Sequence, residues 1–200
     1  MKKKYILSIC ISAAILLILI TTVILISSSQ PNSYQENLSQ QDYAAQVEER
    51  VHFYTNQARI RNGLKPLEVD SQLSDIARAH SNDMAEYNYF AHEDRKGRLA
   101  TERVRDAGYN TTKTLPNGET RDYIHENAAH NLMYKRLSEE NGIKNYSDWK
   151  TPDEVAKESV DALMASESHR THILHNEKDR EGIGVGITNN YEIYITQVFW

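Results

Sequence analysis

The chain predicts an α+β fold, on a change of hydrophobic period and on one strong helix start. Apolar residues recur every three or four positions through residues 43–58 and 73–87, which is the period of a helix face. From Ile183 to Ile195 they alternate instead, which is the period of a strand. Between these regions, Thr151-Pro152-Asp153-Glu154 reads as a capping box. Thr151 can accept from an early backbone N–H, Pro152 fits the first helical position, and Glu154 can reach back to the cap amide.

The elements follow in order. Tyr43, Val47, Val51, Tyr54 and Ala58 form the stripe of a first helix; Gly63 suits the position after its end and Pro66 blocks continuation. Asp70 is placed to cap a second helix, with Leu73, Ile76, Ala77, His80, Met84 and Tyr87 along one face. Thr101–Ala107 reads as a short helix closed by Gly108. In the capped helix, Val155, Ala156, Ser159, Val160, Leu163 and Met164 give the inward side. Ile183, Val185 and Ile187 alternate with glycines, and Tyr191, Ile193 and Ile195 with other residues, so the C-terminus is a hairpin. Asn189-Asn190 is expected to turn it as a two-residue loop, since Asn tolerates positive φ. Residues 123–129 are expected to add a strand, and residues 131–150, which show no period, a long surface loop. Helices around a small, mainly antiparallel sheet make an α+β layered domain.

The 200 residues divide unevenly. Ile6–Ile26 is an uncharged run of the length that spans a bilayer, preceded by Lys2, Lys3 and Lys4. The lysines predict a single-pass anchor in the cell membrane with the C-terminal domain outside. The run is longer than a signal-peptide core and lacks a small-x-small site, so residues 1–26 read as an uncleaved anchor. The alternative is secretion after cleavage near Ser28. Residues 27–46, rich in Ser, Gln and Asn, read as a flexible linker, and residues 47–200 as the domain. Without the three lysines, residues 31–200 hold 20 basic and 28 acidic residues. That acidic balance excludes a nucleic-acid partner. The one cysteine, Cys10, lies in the apolar run, so the domain holds no disulfide.

All eight histidines lie outside that run, and they are the chemical lead. His125-Glu126-Asn127-Ala128-Ala129-His130 approaches a zinc-protease motif but has the wrong spacing, since positions i and i+5 point about 140° apart on a helix. His169, His172 and His175 fail for the same reason. A serine hydrolase would need a G-x-S-x-G elbow, which is absent; Ser166, three residues before His169, reads as a local cap or turn. A composite site remains: His92, Glu126 and His169, on three separate segments. Two imidazoles and a carboxylate suit a divalent metal with an open position. They equally suit general acid/base work.

Six phrases, in order over residues 47–199, resemble the CAP superfamily (cysteine-rich secretory, antigen 5 and pathogenesis-related 1 proteins; the SCP domain) in its prokaryotic, cysteine-free branch. Asn56-Gln57-Ala58-Arg59 with Gly63-Leu64-Lys65-Pro66-Leu67 resembles its first-helix signature, and Asp70–Leu73 with Ala77 and His80–Ala85 its second helix. Tyr89-Phe90-Ala91-His92, His125-Glu126-Asn127 and Ser166-Glu167-Ser168-His169-Arg170 with Ile173-Leu174 resemble its cleft segments. Gly182–Gly186 with Tyr194–Phe199 resembles its last hairpin. The resemblance implies a three-layer α-β-α sandwich with a cleft at His92, Glu126 and His169. The family's fourth cleft position falls at Ser166 or Glu167. His125 and Ser168 stand where the family has glycine, which asks whether the backbone there needs positive φ; His125 would narrow the cleft or add a ligand. Leu163 stands at a family Trp. The expected function is a membrane-tethered extracellular binding or interaction module, its ligand a peptide, lipid, glycan or protein. The alternative is a weak metal-dependent hydrolase, with zinc or another divalent metal on His92 and His169 and Glu126 as base.

Overall fold

The computed structural model describes residues 38–114, 117–140 and 143–200. The expected membrane helix Ile6–Ile26 lies outside them, and among the described residues no helix is long and apolar enough to cross a membrane. Ser39–Trp200 forms one compact unit.

Helix α1 (Gln40–Arg61) starts inside the stretch read as linker, because Ser39 caps it by accepting from Asp42 N at 3.1 Å. It ends at Asn62, and Gly63 takes φ +74, the left-handed conformation that closes a helix with little cost to glycine. The two-residue strand β1 (Glu68–Val69) leads into α2 (Ser71–Tyr87), where Asp70 Oδ1 accepts from Gln72 N at 3.0 Å and Leu73 N at 3.1 Å. Helix α3 (Ala100–Asp106) is followed by the small pair β2 (Thr112–Thr114) and β3 (Thr120–Asp122). Then come β4 (His125–Leu132), β5 (Tyr134–Glu140), β6 (Ile143–Trp149), α4 (Pro152–Ala165), α5 (Glu167–Ile173), β7 (Arg180–Ile187) and β8 (Glu192–Phe199). The capping box at Thr151 forms in full: Glu154 N donates to Thr151 Oγ1 at 3.1 Å and Thr151 N to Glu154 Oε2 at 2.8 Å. A cap of this kind contributes about 1 kcal/mol.

The main sheet runs β1-β7-β8-β4, antiparallel except for β1 against β7. Helices cover both faces. On one, Val47 and Val51 of α1 and Val155, Ala156 and Val160 of α4 meet Ile183, Val185, Ile193 and Ile195. On the other, Leu73 and Ala77 of α2 and Val104 of α3 meet Val198. Gly182, Gly184 and Gly186 share this second face, and α2 lies so close that a Cβ on any of them would fall 2.0–2.2 Å from its backbone. The alternating glycines are thus the floor that lets a helix rest directly on a strand. Arg59, fully buried, donates to the carbonyls of Lys65, Ile173, His175 and Lys178 at 2.6–3.0 Å, which ties α1 to the end of α5.

Three expectations are corrected. Residues 131–150 are mostly not loop: β5 and β6 pair as an antiparallel hairpin. Their sequence, Tyr-Lys-Arg-Leu-Ser-Glu-Glu and Ile-Lys-Asn-Tyr-Ser-Asp-Trp, is too polar to show the alternation of a half-buried strand. The strand expected at 123–129 begins two residues later and extends to Leu132, because Tyr123 and Ile124 serve as buried core residues ahead of the ladder. The β7–β8 turn is a three-residue loop: Tyr191 N donates to Thr188 O at 3.0 Å and Thr188 N to Glu192 O at 2.9 Å. Its left-handed residue is Tyr191 at φ +62, with neither asparagine at positive φ. The Tyr191 ring stands edge-on to Trp149, centroids 4.8 Å apart, a contact that holds the unusual backbone in place.

Candidate functional site

Strand β4 assembles the site through its alternation. Successive side chains point to opposite faces, so Glu126 and Asn127, neighbours in sequence, serve opposite layers. Glu126 faces the loop between α2 and α3. There His92 Nδ1 donates to Glu126 Oε1 at 3.0 Å, and Arg103 of α3 forms an ion pair with Glu126 Oε2. Asn127, fully buried, faces α5: its Nδ2 donates to His169 O at 3.2 Å, and its Oδ1 accepts from His172 Nδ1 at 2.9 Å. The two imidazoles approach from the two layers, with ring centroids 6.3 Å apart.

Each arm is fixed locally. Asn88 ends α2 in the left-handed conformation, φ 52, turning the chain toward His92. His80 Nε2 donates to Ala91 O at 3.0 Å, and Arg103 Nη1 donates to the carbonyls of His92 and Arg98, both at 2.8 Å. Asp94 Oδ1 accepts from the amides of Lys96 and Arg98 at 2.9 Å, which folds the loop back toward α3. On the other arm, Ser166 heads α5 and its Oγ lies 2.9 Å from His169 Nδ1. Arg170 Nη1 donates to Met164 O at 2.8 Å, bracing the α4–α5 junction.

Glu126 and Arg103 are both buried, whereas the His92 side chain is half exposed. The Glu126 hydrogen bond holds the His92 pKa above the ordinary imidazole value, against the opposing effect of burial. His169 is pushed the other way, by burial and by the charge of His92. A carboxylate only accepts, so His92 carries its proton on Nδ1 and leaves Nε2 for the cleft. An imidazole with one nitrogen anchored and the other free is the arrangement seen in metal-ligating histidines. Among the described residues, no three His, Cys, Asp or Glu side chains converge as a metal group.

Of the residues expected in the cleft, His92, Glu126, His169 and Ser166 come together. His125 does not join them: on the opposite face of β4 from Glu126, its ring lies 4.8 Å from His172 and 5.9 Å from His175. Glu167 is exposed at the first turn of α5. Neither His125 nor Ser168 has positive φ; among the described non-glycine residues only Asn88 and Tyr191 do. Leu163 is buried with Leu67, Ile173 and Phe199. Sequence reasoning missed Arg103 and the anchoring role of Asn127. The signal for Asn127 was its place beside Glu126 on an alternating strand; Arg103 gave none, being one of several charges on a short helix.

Burial pushes the His125 imidazole down to about 4, and the nearby Lys178 ammonium and His172 act in the same direction. Unfolded, the same side chain titrates near about 6.5. Between those values the unfolded chain binds the extra proton, so stability falls as pH drops from about 6.5 toward 4. His125→Gln is expected to flatten that part of a plot of Tm against pH. An unchanged slope would show that His125 is not the group responsible.

The family model described as the cysteine-rich secretory protein family, CAP, matches residues 52–199. A Bacillus subtilis protein, YkwD, is 33% identical over 150 residues, 75% of this chain and 46% of its own length. The Bacillus subtilis membrane protein YlbC is 27% identical over 138 residues, 69% of this chain and 31% of its own length. The chain therefore spans less than half of either relative. The fold is similar to that of an extracellular SCP-domain protein from Bacillus anthracis, with TM-score 0.55 and 23% identity over 86% of this chain and 44% of that one. It is also similar to that of an outer surface protein of Borrelia burgdorferi, with TM-score 0.55 and 16% identity over 76% of this chain and 90% of that one.

Proposed function

The chain belongs to the cysteine-rich secretory protein (CAP) family, and from that footing we propose that it is an extracellular binding module, tethered through residues 6–26, whose cleft holds its ligand between His92 and His169. The observation that carries this reading is the state of Glu126. One of its oxygens is taken by His92 and the other by Arg103. A general base must be free to reach the proton it removes, whereas Glu126 is clamped between two donors. Its work is positional: it fixes the His92 tautomer and turns Nε2 outward. This argues for binding over the hydrolase alternative, in which Glu126 would act as base.

A divalent metal is the simplest ligand for the pair. His92 and His169 would hold it, and it would offer open positions to oxygen or nitrogen groups of a partner molecule. Calorimetric titration of the chain with zinc is expected to show one site, weakened at least tenfold in a His92→Ala/His169→Ala variant. Affinity is expected to fall as pH drops through about 6.5, because protons compete for the imidazoles. His92, with its pKa held up by Glu126, loses the competition first. Binding unchanged in the double variant would end the metal assignment.

A further inference from the structure

The resemblance leaves the fourth cleft position at Ser166 or Glu167, and the structure separates the two. Glu167 is exposed at the first turn of α5, whereas Ser166 is half-buried with its Oγ 2.9 Å from His169 Nδ1. The backbone of Ser166 is that of a helix cap, extended at φ −85 and ψ 124. A capping serine accepts from the amide of the second or third helical residue, here Ser168 or His169. The Ser166 hydroxyl makes no such bond. The expectation of a local cap therefore holds for its backbone and not for its side chain, which turns to the His169 ring instead. Departures of this kind from a local rule are expected at functional sites.

A hydroxyl both accepts and donates, so the bond to His169 can run in either direction. Ser168 provides an outlet for the Ser166 proton, since its Oγ lies 3.2 Å from Ser166 Oγ. When Ser166 donates there, its own lone pairs are left for His169 Nδ1–H, and a hydroxyl that donates accepts more strongly. Ser168 stands where the resembled family has glycine, and a glycine would remove that outlet.

We propose that Ser166 is a positioning residue for the cleft: with Ser168 behind it, it holds the His169 proton on Nδ1 and leaves Nε2 bare toward His92. It is the counterpart of Glu126 behind His92, so both rings are anchored through Nδ1. The tautomer of His169 stands on these hydrogen bonds alone, whereas the use of the ring to hold a metal rests on the function proposed above.

The tautomer is read by two-bond ¹H–¹⁵N NMR of the metal-free full-length chain, labelled with ¹⁵N-histidine and held at about pH 8, above the ordinary imidazole value. The expected result is a His169 proton on Nδ1, the form that a free imidazole in water disfavours. In Ser166→Ala the proton is expected to move to Nε2; in Ser166→Thr, which keeps the hydroxyl, it is expected to stay on Nδ1. Because the hydroxyl caps nothing, Ser166→Ala is expected to leave α5 folded. Zinc affinity is expected to fall about 10–100-fold in Ser166→Ala, as when a bond that orients a metal ligand is lost, and to be kept in Ser166→Thr. A His169 proton on Nε2 in the unaltered chain overturns the proposal, and so does a Ser166→Ala chain whose tautomer is unchanged. An unaltered chain that binds no zinc overturns the metal reading alone, and the tautomer then decides the role of Ser166 by itself.

Discussion

Gly184→Ala is expected to destabilise the domain by at least about 3 kcal/mol, the upper end of the usual cost of overpacking. The added Cβ would fall 2.0 Å from the backbone nitrogen of Arg78 and 2.3 Å from Ala77 C. Its neighbours there are helix backbone, which cannot rotate away as a side chain would. Relief requires α2 to lift from β7, and that opens the packing of Leu73 and Ala77 against Val198. It would also stretch the bonds from Ser81 Oγ to Gly184 O and Thr196 Oγ1, both 2.8 Å. Against a total stability of about 5–15 kcal/mol for a domain, this removes a large share. Urea unfolding of the variant measures it. Gly97→Ala is the control: its Cβ meets nothing within 4 Å, so only the strain of φ +75 is felt, roughly 1 kcal/mol. Equal losses at the two positions would show that close helix–strand packing is not what the β7 glycines provide.

Those glycines show which parts of the fold the sequence made legible. Wherever a residue's role follows from its own neighbours in sequence, reading was direct. Asp70 and Thr151 cap helices because a cap is a bond across two or three residues. Alternation in β7 and β8 was visible because their two faces meet different neighbours: Ile183, Val185, Ile193 and Ile195 fill the core under α1 and α4, while the glycines of β7 lie directly under α2. The β5–β6 hairpin was hidden because its strands carry few apolar residues to alternate. The turn at Tyr191 was hidden for another reason. Asparagine is the better candidate for positive φ, but the register and the Trp149 contact place the left-handed residue one position later. The cleft divides in the same way. His92, Glu126 and His169 were legible as residue types on separate segments. What joins them was not, since Arg103 and Asn127 act at sequence separations of 23 and 42 residues.

Removing the Arg103 guanidinium is expected to be the most damaging change near the cleft. In Arg103→Met, Glu126 keeps a buried carboxylate whose remaining partner is the half-exposed His92. Breaking a buried ion pair from one side typically costs about 3–5 kcal/mol, most of it the penalty of the stranded charge. An exposed pair would lose only about 0–1 kcal/mol. The pair here is shielded on both sides, with side-chain exposures of 7% for Arg103 and 4% for Glu126. Arg103→Met/Glu126→Gln is the decisive companion, because it removes both charges and keeps the volumes. If the stranded carboxylate is what destabilises, the double variant should recover at least about 2 kcal/mol relative to Arg103→Met, a coupling typical of residues in direct contact. Chemical denaturation of the two single variants and the double variant gives that number. Additive losses would mean that Arg103 acts through its bonds to the carbonyls of His92 and Arg98 instead. The zinc titration separates the two roles further. With the charge pair removed but the fold recovered, His92 has lost the carbonyl anchor on its loop, and its Nε2 should be held less firmly toward His169. Metal binding weaker in a fully folded double variant than in Glu126→Gln alone would therefore mark Arg103 as the residue that positions the cleft, in addition to neutralising the carboxylate beneath it.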